Sequence, residues 1–460
     1  MSKPIMKKYM FILILILIIT LSFIYKKNFN KNYKSKPINI LFITIDALRS
    51  DHLGCYGYVR DTTPNIDKLA KGGILFTQAI STASFTAASL NAVLFSVYPH
   101  NLAKFNPYSS ETPTPSLAKV LRDNGYYTGL ISNYDLLYYI LRGIKKDYDV
   151  INIYKQSNNA KVVTRSAINF IQNNRSKPFF LWLHYFDPHG PYRPPSPYNK
   201  FYVYDNYYQK GKIAHILTNS KDKFFGFGGI PITIVENDIT DLSYYISQYD
   251  GEIKFTDEQI GLVLKELRNL GLENNTLIII TADHGETLGD HNLYFCHSGH
   301  LYDDLLRVPL VIKFNKIFPK NKIITKQVQT IDIATTILEI LQINIPLSFK
   351  GKSLNSLIKN NNSNFRTLAF AEAFMGYHIR AIRTDRWKLI YSESNKYELY
   401  DLKNDPKELN NIINIADEQF KLLKQELNNW FDKINPIALE EITPIDKTTR
   451  EKLKSLGYLQ

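Results

Sequence analysis

The stretch "INILFITID", Ile38 to Asp46, is, apart from Asn39, a continuous run of apolar and β-branched residues that stops at a carboxylate. No polar alternation interrupts it, so both of its faces are expected to be covered, as in a strand of a parallel sheet. The arrangement returns twice. "NTLIIITADHG" carries a strand over Leu277–Thr281 with Asp283 and His284 just past its end. "KPFFLWLHYFDPHGPY" places His184, Asp187 and His189 at or beyond another. "YYTGLISN" and "RVPLVIKF" read as weaker strands. Helical patterns lie between them: "TPNIDKLAKGG", "TPSLAKVLRDNG" and "TDEQIGLVLKELRNLG", the last two closing on glycine. Strands alternating with helices predict an α/β fold with a central, mostly parallel sheet flanked by helices. Ligands of such sheets bind beyond the carboxyl ends of the strands. The polar clusters fall there.

From about residue 350 the texture changes. "NNNSNFRT" is a polar loop, and "IRTDRWKLIYSESNKYELYDL" alternates like an antiparallel hairpin or meander. A helix over about Asp417–Ile434 and a polar tail follow. The expected division is a main domain over 37–348, a smaller C-terminal α+β subdomain over 349–436 and a tail over 437–460. The tyrosine-rich insert Lys200–Gly229 is expected to shape access to the site.

The 460 residues suffice for a large core. With 44% hydrophobic and 22% charged residues the composition is globular. A formal net charge of +13 favours an anionic partner. The basic residues are dispersed, without a long arginine run, so nucleic acid is not the expected one. Cys55 and Cys296 are the only cysteines, too far apart in the chain to suggest a disulfide framework or a thiolate zinc site.

Near the N-terminus, after a short flank (1–8), "YMFILILILIITLSFIY" (Tyr9–Tyr25) is apolar on every face and bounded by tyrosines. As a helix it spans about 26 Å, at the short end for a bilayer crossing. A cleaved signal peptide is the competing reading, but the lysine-rich linker 26–36 offers no small-x-small cleavage site. The expectation is a single-pass membrane anchor. Lysines on both sides leave its orientation open.

Asp46, Asp283 and His284 offer two carboxylates and an imidazole to one sheet edge, a donor set for a divalent cation. Around them, "NILFITIDALRSDHLGCYGY", "TPNIDKLAKGGILFTQAIS", "FFLWLHYFDPHGPY", "YDGEIKFTDEQIG", "TADHGETLGDH", "HSGHLYDDLLRVPLVI" and "YELYDLKNDPKELNN" resemble, in order, the successive blocks of the sulfatase family within the alkaline phosphatase superfamily. The closing "LKSLGYLQ" is similar to the tail of many bacterial members. The resemblance implies an alkaline-phosphatase-like fold and an extracytoplasmic catalytic domain. It puts Asp46, Asp283 and His284 on metal-ligand positions and His297 on one that contacts the anionic substrate. It also puts His184 and His189 in the block lining the substrate pocket, although His184 also reads as a strand-end histidine satisfied by a neighbour. His52, His100, His291 and His300 read as polar loop residues.

The family's nucleophile segment carries Cys-x-Pro-Ser-Arg, then Thr-Gly, then Tyr-Pro. Here it is "STASFTAASLNAVLFSVYPH" (Ser81–His100). Counting back from Tyr98-Pro99 puts Thr86 at the cysteine's place, Ala88 at the proline's, Ser89 at the serine's, Leu90 at the arginine's and Phe95-Ser96 at the Thr-Gly's. Threonine cannot become formylglycine, because its Cβ already bears a methyl group. Thr86 would instead form an ordinary ester cleaved by water or a second acceptor, a route suited to phosphoryl groups. The site resembles that of Thr-nucleophile phosphotransferases, with Thr86 joining Asp46, Asp283 and His284 as a metal ligand. The resemblance also implies a second Asp and an Asn at the positions of Ala47 and His284. Losing a carboxylate and gaining an imidazole shifts the preference from Ca²⁺ towards Mn²⁺ or Zn²⁺.

The expected function is that of a membrane-anchored hydrolase or transferase of phosphate or sulfate esters on a lipid head group, glycan or small molecule. Thr86 would be the nucleophile, and His297 would bind the transferring group or protonate the leaving group. The alternative is an inactive relative retained for binding an anionic ligand, motivated by the missing proline, arginine and Thr-Gly.

Overall fold

The computed structural model describes residues 37–103, 114–155, 159–203, 213–218, 226–297, 299–360, 365–374, 378–392 and 396–432. The expected flank, anchor and linker (1–36) and the tail lie outside these residues, as does most of the Lys200–Gly229 insert. Among the described residues no helix is long and apolar enough to cross a membrane.

The run that opened the reading forms β1 (Asn39–Ile45), buried along its whole length. The other strands of the central sheet are β2 (Ile74–Ile80), β3 (Tyr127–Ser132), β4 (Val150–Ile153), β5 (Phe179–Tyr185), β6 (Thr276–Ala282), β7 (Arg307–Lys313), β8 (Lys322–Ile324) and β9 (Val328–Gln329). Their order is β8-β2-β7-β6-β1-β5-β3-β4, with β9 also on β2. β1 pairs in parallel with both β5 and β6. The antiparallel strand is β7, between β2 and β6, which makes the sheet mixed.

Register positions the site. Ile45 lies opposite Tyr185 on one side and Ala282 on the other. Neighbouring strands run about 4.8 Å apart, so the residues that follow, Asp46 and Asp283, emerge side by side at one edge.

The helices cover the sheet. They include α1 (Pro64–Lys71), α2 (Thr86–Phe95), α3 (Leu117–Asp123), α4 (Ala160–Asn174), α5 (Leu242–Asn269) and α6 (Asp332–Ile340). α5 starts well before the "TDEQ" where the sequence pattern begins. Asp241 caps it through Ser243 N at 2.9 Å, and Tyr245, Tyr249 and Ile253 extend its buried face. Gly251 sits inside it because a Cβ there would meet the Tyr198 carbonyl at 2.7 Å.

The C-terminal part is the expected meander, β10 (Ala369–Phe374), β11 (His378–Arg383), β12 (Trp387–Ser392) and β13 (Lys396–Asp401), all antiparallel, followed by α7 (Asp417–Asp432). Its period of two divides the side chains. Ile382 and Leu389 pack with Leu423 and Leu427 of α7. Ile379, Ala381 and Ile390 pack with Ile80, Leu301 and Leu306 of the central part. On that second face Lys388 is fully buried, 2.8 Å from Asp303 and 2.7 Å from Glu408. Removing Lys388 leaves the buried Glu408 without its cation, while Asp303 keeps Arg383 at 2.9 Å, and losing one partner of a buried pair costs about 3 kcal/mol or more. Lys388→Met is therefore expected to lower the free energy of denaturant unfolding by about 3 kcal/mol. A change below about 1 kcal/mol would show the cluster to be solvated instead.

Candidate active site

β1 delivers Asp46 into a tight turn. Its N–H donates to Tyr185 O at 2.9 Å, and the next residue, Ala47, takes φ 54°. An alanine there costs about 1–2 kcal/mol. Two hydrogen bonds hold it: Ala47 N donates to Asp283 Oδ1 (3.3 Å) and the Tyr249 hydroxyl donates to Ala47 O (2.7 Å). The β6 end is equally tied. His284 N donates to Asp283 Oδ1 at 2.9 Å, and the Ser81 hydroxyl donates to Asp283 O at 2.6 Å. Gly285 is required next, because a Cβ would collide with the Asp304 carbonyl.

His284 Nδ1 lies 2.7 Å from Gly285 O, which accepts only, so Nδ1 carries the proton and Nε2 presents its lone pair. That Nε2 is 3.6 Å from Asp46 Oδ1 and 3.6 Å from Asp283 Oδ2. The three donor atoms lie within 4.8 Å of one another. Both of those carboxylate oxygens are buried without a hydrogen-bond partner. Burial and the neighbouring Asp283 push the Asp46 carboxyl well above its usual range. Two enclosed carboxylates beside an imidazole lone pair fit a divalent cation, which would satisfy the orphaned oxygens.

Thr86 is the first residue of α2 and is fully buried. Its Oγ1 lies 3.2 Å from His284 Nε2 and donates towards Asp46 Oδ2 at 3.5 Å. The preceding Phe85 is extended and supplies no side-chain cap to the helix. Ser89, the other hydroxyl retained in this segment, turns back to Phe85 O at 2.7 Å. Leu90 is buried.

The remaining expected residues fall into two groups. His284, His297 and His189 form a row, with ring centroids 4.5 Å and 4.8 Å apart. Burial pushes His297 down to about 4. Burial and the adjacent His297 push His189 down to about 3. His184 lies apart from the row, fully enclosed in β5. Its Nδ1 is 2.8 Å from Thr44 Oγ1, which also accepts from Trp182 Nε1 at 2.9 Å, and its Nε2 is 3.4 Å from Asp46 Oδ2. Thus His184 sits against a carboxylate of the cluster, with its Nδ1 paired to a strand neighbour and its buried Nε2 facing Asp46 without a hydrogen bond. Thr44, Tyr192 and Glu286 are contributors that the sequence reading left out. Glu286 was within view in "ADHGE", but its partners are reached only through the fold.

A parallel-stranded core with a buried carboxylate–imidazole set beside a hydroxyl defines an α/β protein of the alkaline-phosphatase-like class. The chain belongs to the sulfatase family, whose model matches residues 38–343. A second one, N-sulphoglucosamine sulphohydrolase C-terminal, matches residues 289–435. The chain is 26% identical to an N-acetylglucosamine-6-O-sulfatase of Bacteroides thetaiotaomicron, over 87% of this chain and 88% of the relative. Among solved structures, a protein in complex with its substrate D-glucosamine-2-N,6-O-disulfate matches at TM-score 0.73 and 22% identity, over 87% of this chain and 99% of that one. A phosphonate monoester hydrolase from Silicibacter pomeroyi matches at TM-score 0.69 and 20% identity, over 86% and 96%.

Proposed function

We propose that the protein is a metal-dependent hydrolase or transferase of phosphate or sulfate esters in which Thr86 is the covalent nucleophile. The observation that carries this reading is the Thr86 hydroxyl, 3.2 Å from His284 Nε2 and aimed at Asp46 Oδ2. A divalent cation held by Asp46, Asp283, His284 and the Thr86 oxygen, with Mn²⁺ or Zn²⁺ favoured over Ca²⁺, would supply Lewis-acid polarisation of the ester and a more acidic hydroxyl. Thr86 Oγ1 forms the new bond to phosphorus or sulfur as the bond to the leaving oxygen breaks. Asp46 Oδ2 is the acceptor placed for the hydroxyl proton. His297, beside His284 and held neutral near pH 7 because burial pushes it down to about 4, binds the oxygens of the transferring group, and His189 packs against it to complete the pocket wall. His184, although expected at the substrate, is assigned here to holding Asp46. Water or an acceptor hydroxyl then cleaves the Thr86 ester.

The sulfatase relatives favour sulfate. The unmodified hydroxyl favours phosphate, since an ester on threonine lacks the elimination route of a formylglycine hydrate. The family's arginine position is the buried Leu90, and this favours the second reading, an inactive member that binds an anionic ligand. Assays of p-nitrophenyl phosphate, bis-p-nitrophenyl phosphate and p-nitrophenyl sulfate, and of a glycan and a lipid head-group ester, with Mn²⁺, Zn²⁺ or Ca²⁺ separate the two. Turnover of any of them is the expected result. Binding without turnover throughout would establish the second reading.

The apolar run Tyr9–Tyr25 supports membrane attachment, and the family resemblance, not the run, supports an extracytoplasmic catalytic unit. The full chain is expected to stay in the membrane fraction after an alkaline carbonate wash, and a chain starting at Pro37 to leave it. Equal release of both would refute the anchor.

A further inference from the structure

His300 and Tyr302, in the segment just after His297, line a cavity of about 730 Å³ against Ile379, Ile390 and Glu398 of the C-terminal sheet. The volume is that of a small-molecule pocket, and the chemistry described above does not use it. His300, expected as a polar loop residue, is only 8% exposed. Its Nδ1 accepts the Tyr302 N–H at 3.3 Å, and burial holds the imidazole well below its ordinary value. The ring is therefore neutral near pH 7, with its one proton on Nε2. Asp304 Oδ1, 3.8 Å from Nδ1, is beyond hydrogen-bond reach. Nε2 itself is buried without a hydrogen-bond partner. It is a donor left open on the lining.

Glu398, on β13, supplies the opposite function. The Tyr302 and Tyr400 hydroxyls both donate to its Oε2, at 2.8 and 2.7 Å. They fix the carboxylate, while Oε1 takes no hydrogen bond from the described residues. Lys396 lines the same cavity but is exposed and forms no ion pair with Glu398. Tyr302 lies between donor and acceptor, its ring 4.9 Å from that of His300 and its hydroxyl on Glu398, so one small ligand can reach both. The loop that brings His291 to the lining is strained. His291 (φ 52°), Asn292 (φ 61°) and Phe295 (φ 53°) all take left-handed backbone, which collects at functional sites. In this conformation the His291 ring stacks on Tyr302 with centroids 3.7 Å apart, fixing the side chain that orients Glu398.

These groups select a ligand by charge. A bound anion would face Glu398, and a bound cation would face the His300 N–H. A neutral hydroxyl both donates and accepts, so a polyol satisfies each. Leu301, Ile379 and Ile390 offer apolar surface to C–H groups. Hydroxyls around a ring whose faces are C–H describe a pyranose. We propose that this cavity binds an uncharged pyranose ring, with Glu398 Oε1 accepting from one hydroxyl and His300 Nε2 donating to another. That the ring belongs to the substrate, as the glycan unit next to the esterified one, rests on the function proposed above; the sugar site does not.

The full chain is titrated, without added metal, with the methyl glycosides of glucose, galactose, mannose and N-acetylglucosamine. Choline and inorganic phosphate serve as charged controls, and saturation-transfer difference NMR reads binding. At least one glycoside is expected to bind the parent in the millimolar range. Glu398→Gln keeps an acceptor for the tyrosine hydroxyls and is expected to weaken that binding by roughly 10-fold. His300→Phe, which keeps a ring and removes the N–H, is expected to do the same, with thermal melts to check folding. Should His300→Phe fail to fold, Glu398→Gln decides alone. Absence of glycoside binding, or glycoside binding that the folded variants retain, would overturn the proposal. So would choline or phosphate binding that Glu398→Gln alters. With a parent that turns over esters, Glu398→Gln should raise KM for a sugar ester by a similar factor while kcat and p-nitrophenyl turnover stay unchanged. Equal kcat losses on both esters would show a merely structural carboxylate. Glycoside binding that depends on Glu398, in a parent without turnover, would count against the ester chemistry alone.

Discussion

Thr86→Ala is expected to abolish turnover, with kcat falling by roughly 10³-fold or more and divalent-cation binding largely retained. The size follows from the role. A nucleophile makes the bond that defines the transition state, so no neighbouring side chain compensates for its loss. The candidates nearby are few. Ser89 is occupied with Phe85 O, and Ser81 holds the carbonyl of Asp283. Thr86→Ser keeps the oxygen at the same chain position and should restore activity to within about 10-fold of the parent, the loss reflecting a hydroxyl less fixed in rotation. The two substitutions together separate nucleophile from packing residue. Thr86 is fully buried, so a merely structural threonine would show both variants losing stability with comparable residual rates. Trapping of a labelled ester on Thr86, absent from Thr86→Ala, provides the direct check, and unchanged turnover in Thr86→Ala would remove the nucleophile assignment.

Much of this arrangement is legible in the chain because parallel sheets write themselves plainly. β1, β5 and β6 are enclosed on both faces, so each reads as an uninterrupted apolar run, and the residue after each run stands at a sheet edge. Equal register then brings Asp46 and Asp283 together. The antiparallel insertion of β7 carries no such signal, because a buried strand looks the same in either direction. The first half of α5 hid behind its tyrosines and Gly251, which read as loop chemistry until Tyr245, Tyr249 and Ile253 are seen on one buried face. The links from Thr44 to His184 and from Glu286 to His297 were out of reach for a different reason. They join side chains across 140 residues in one case and around a folded loop in the other, and no local period encodes such a pairing.

Metal binding and stability should respond to Asp46→Asn with opposite signs, which makes this the more discriminating substitution. Without a cation, Asp46 and Asp283 are two buried carboxylates whose facing oxygens lack partners, and burial and mutual repulsion raise the Asp46 carboxyl well above 3.8. A raised folded value means that the folded metal-free state binds a proton the unfolded chain has already lost. That contribution to stability is present at low pH and fades as pH rises through the raised value. Near neutrality the metal-free protein therefore carries an unrelieved penalty, and Asp46→Asn should raise its unfolding free energy by on the order of 1 kcal/mol or more. The same change removes a ligand charge, so affinity for Mn²⁺ or Zn²⁺ should fall by at least about 10–100-fold and turnover should be lost, as it should be in the parent after chelation. In the parent the cation must displace the Asp46 proton, so affinity should weaken as pH is lowered, with more protons released per ion bound. Saturation at 100 times the parent's Kd should then add about 2.7 kcal/mol of stability to the parent but only about 0.4–1.4 kcal/mol to Asp46→Asn at that concentration. Calorimetry in buffers of different ionisation enthalpy, together with thermal melts with and without metal, measures all three effects. If Asp46→Asn destabilises the metal-free protein, or binds the ion as well as the parent, the carboxylates are held apart by something other than a missing cation, and the site is not a metal centre.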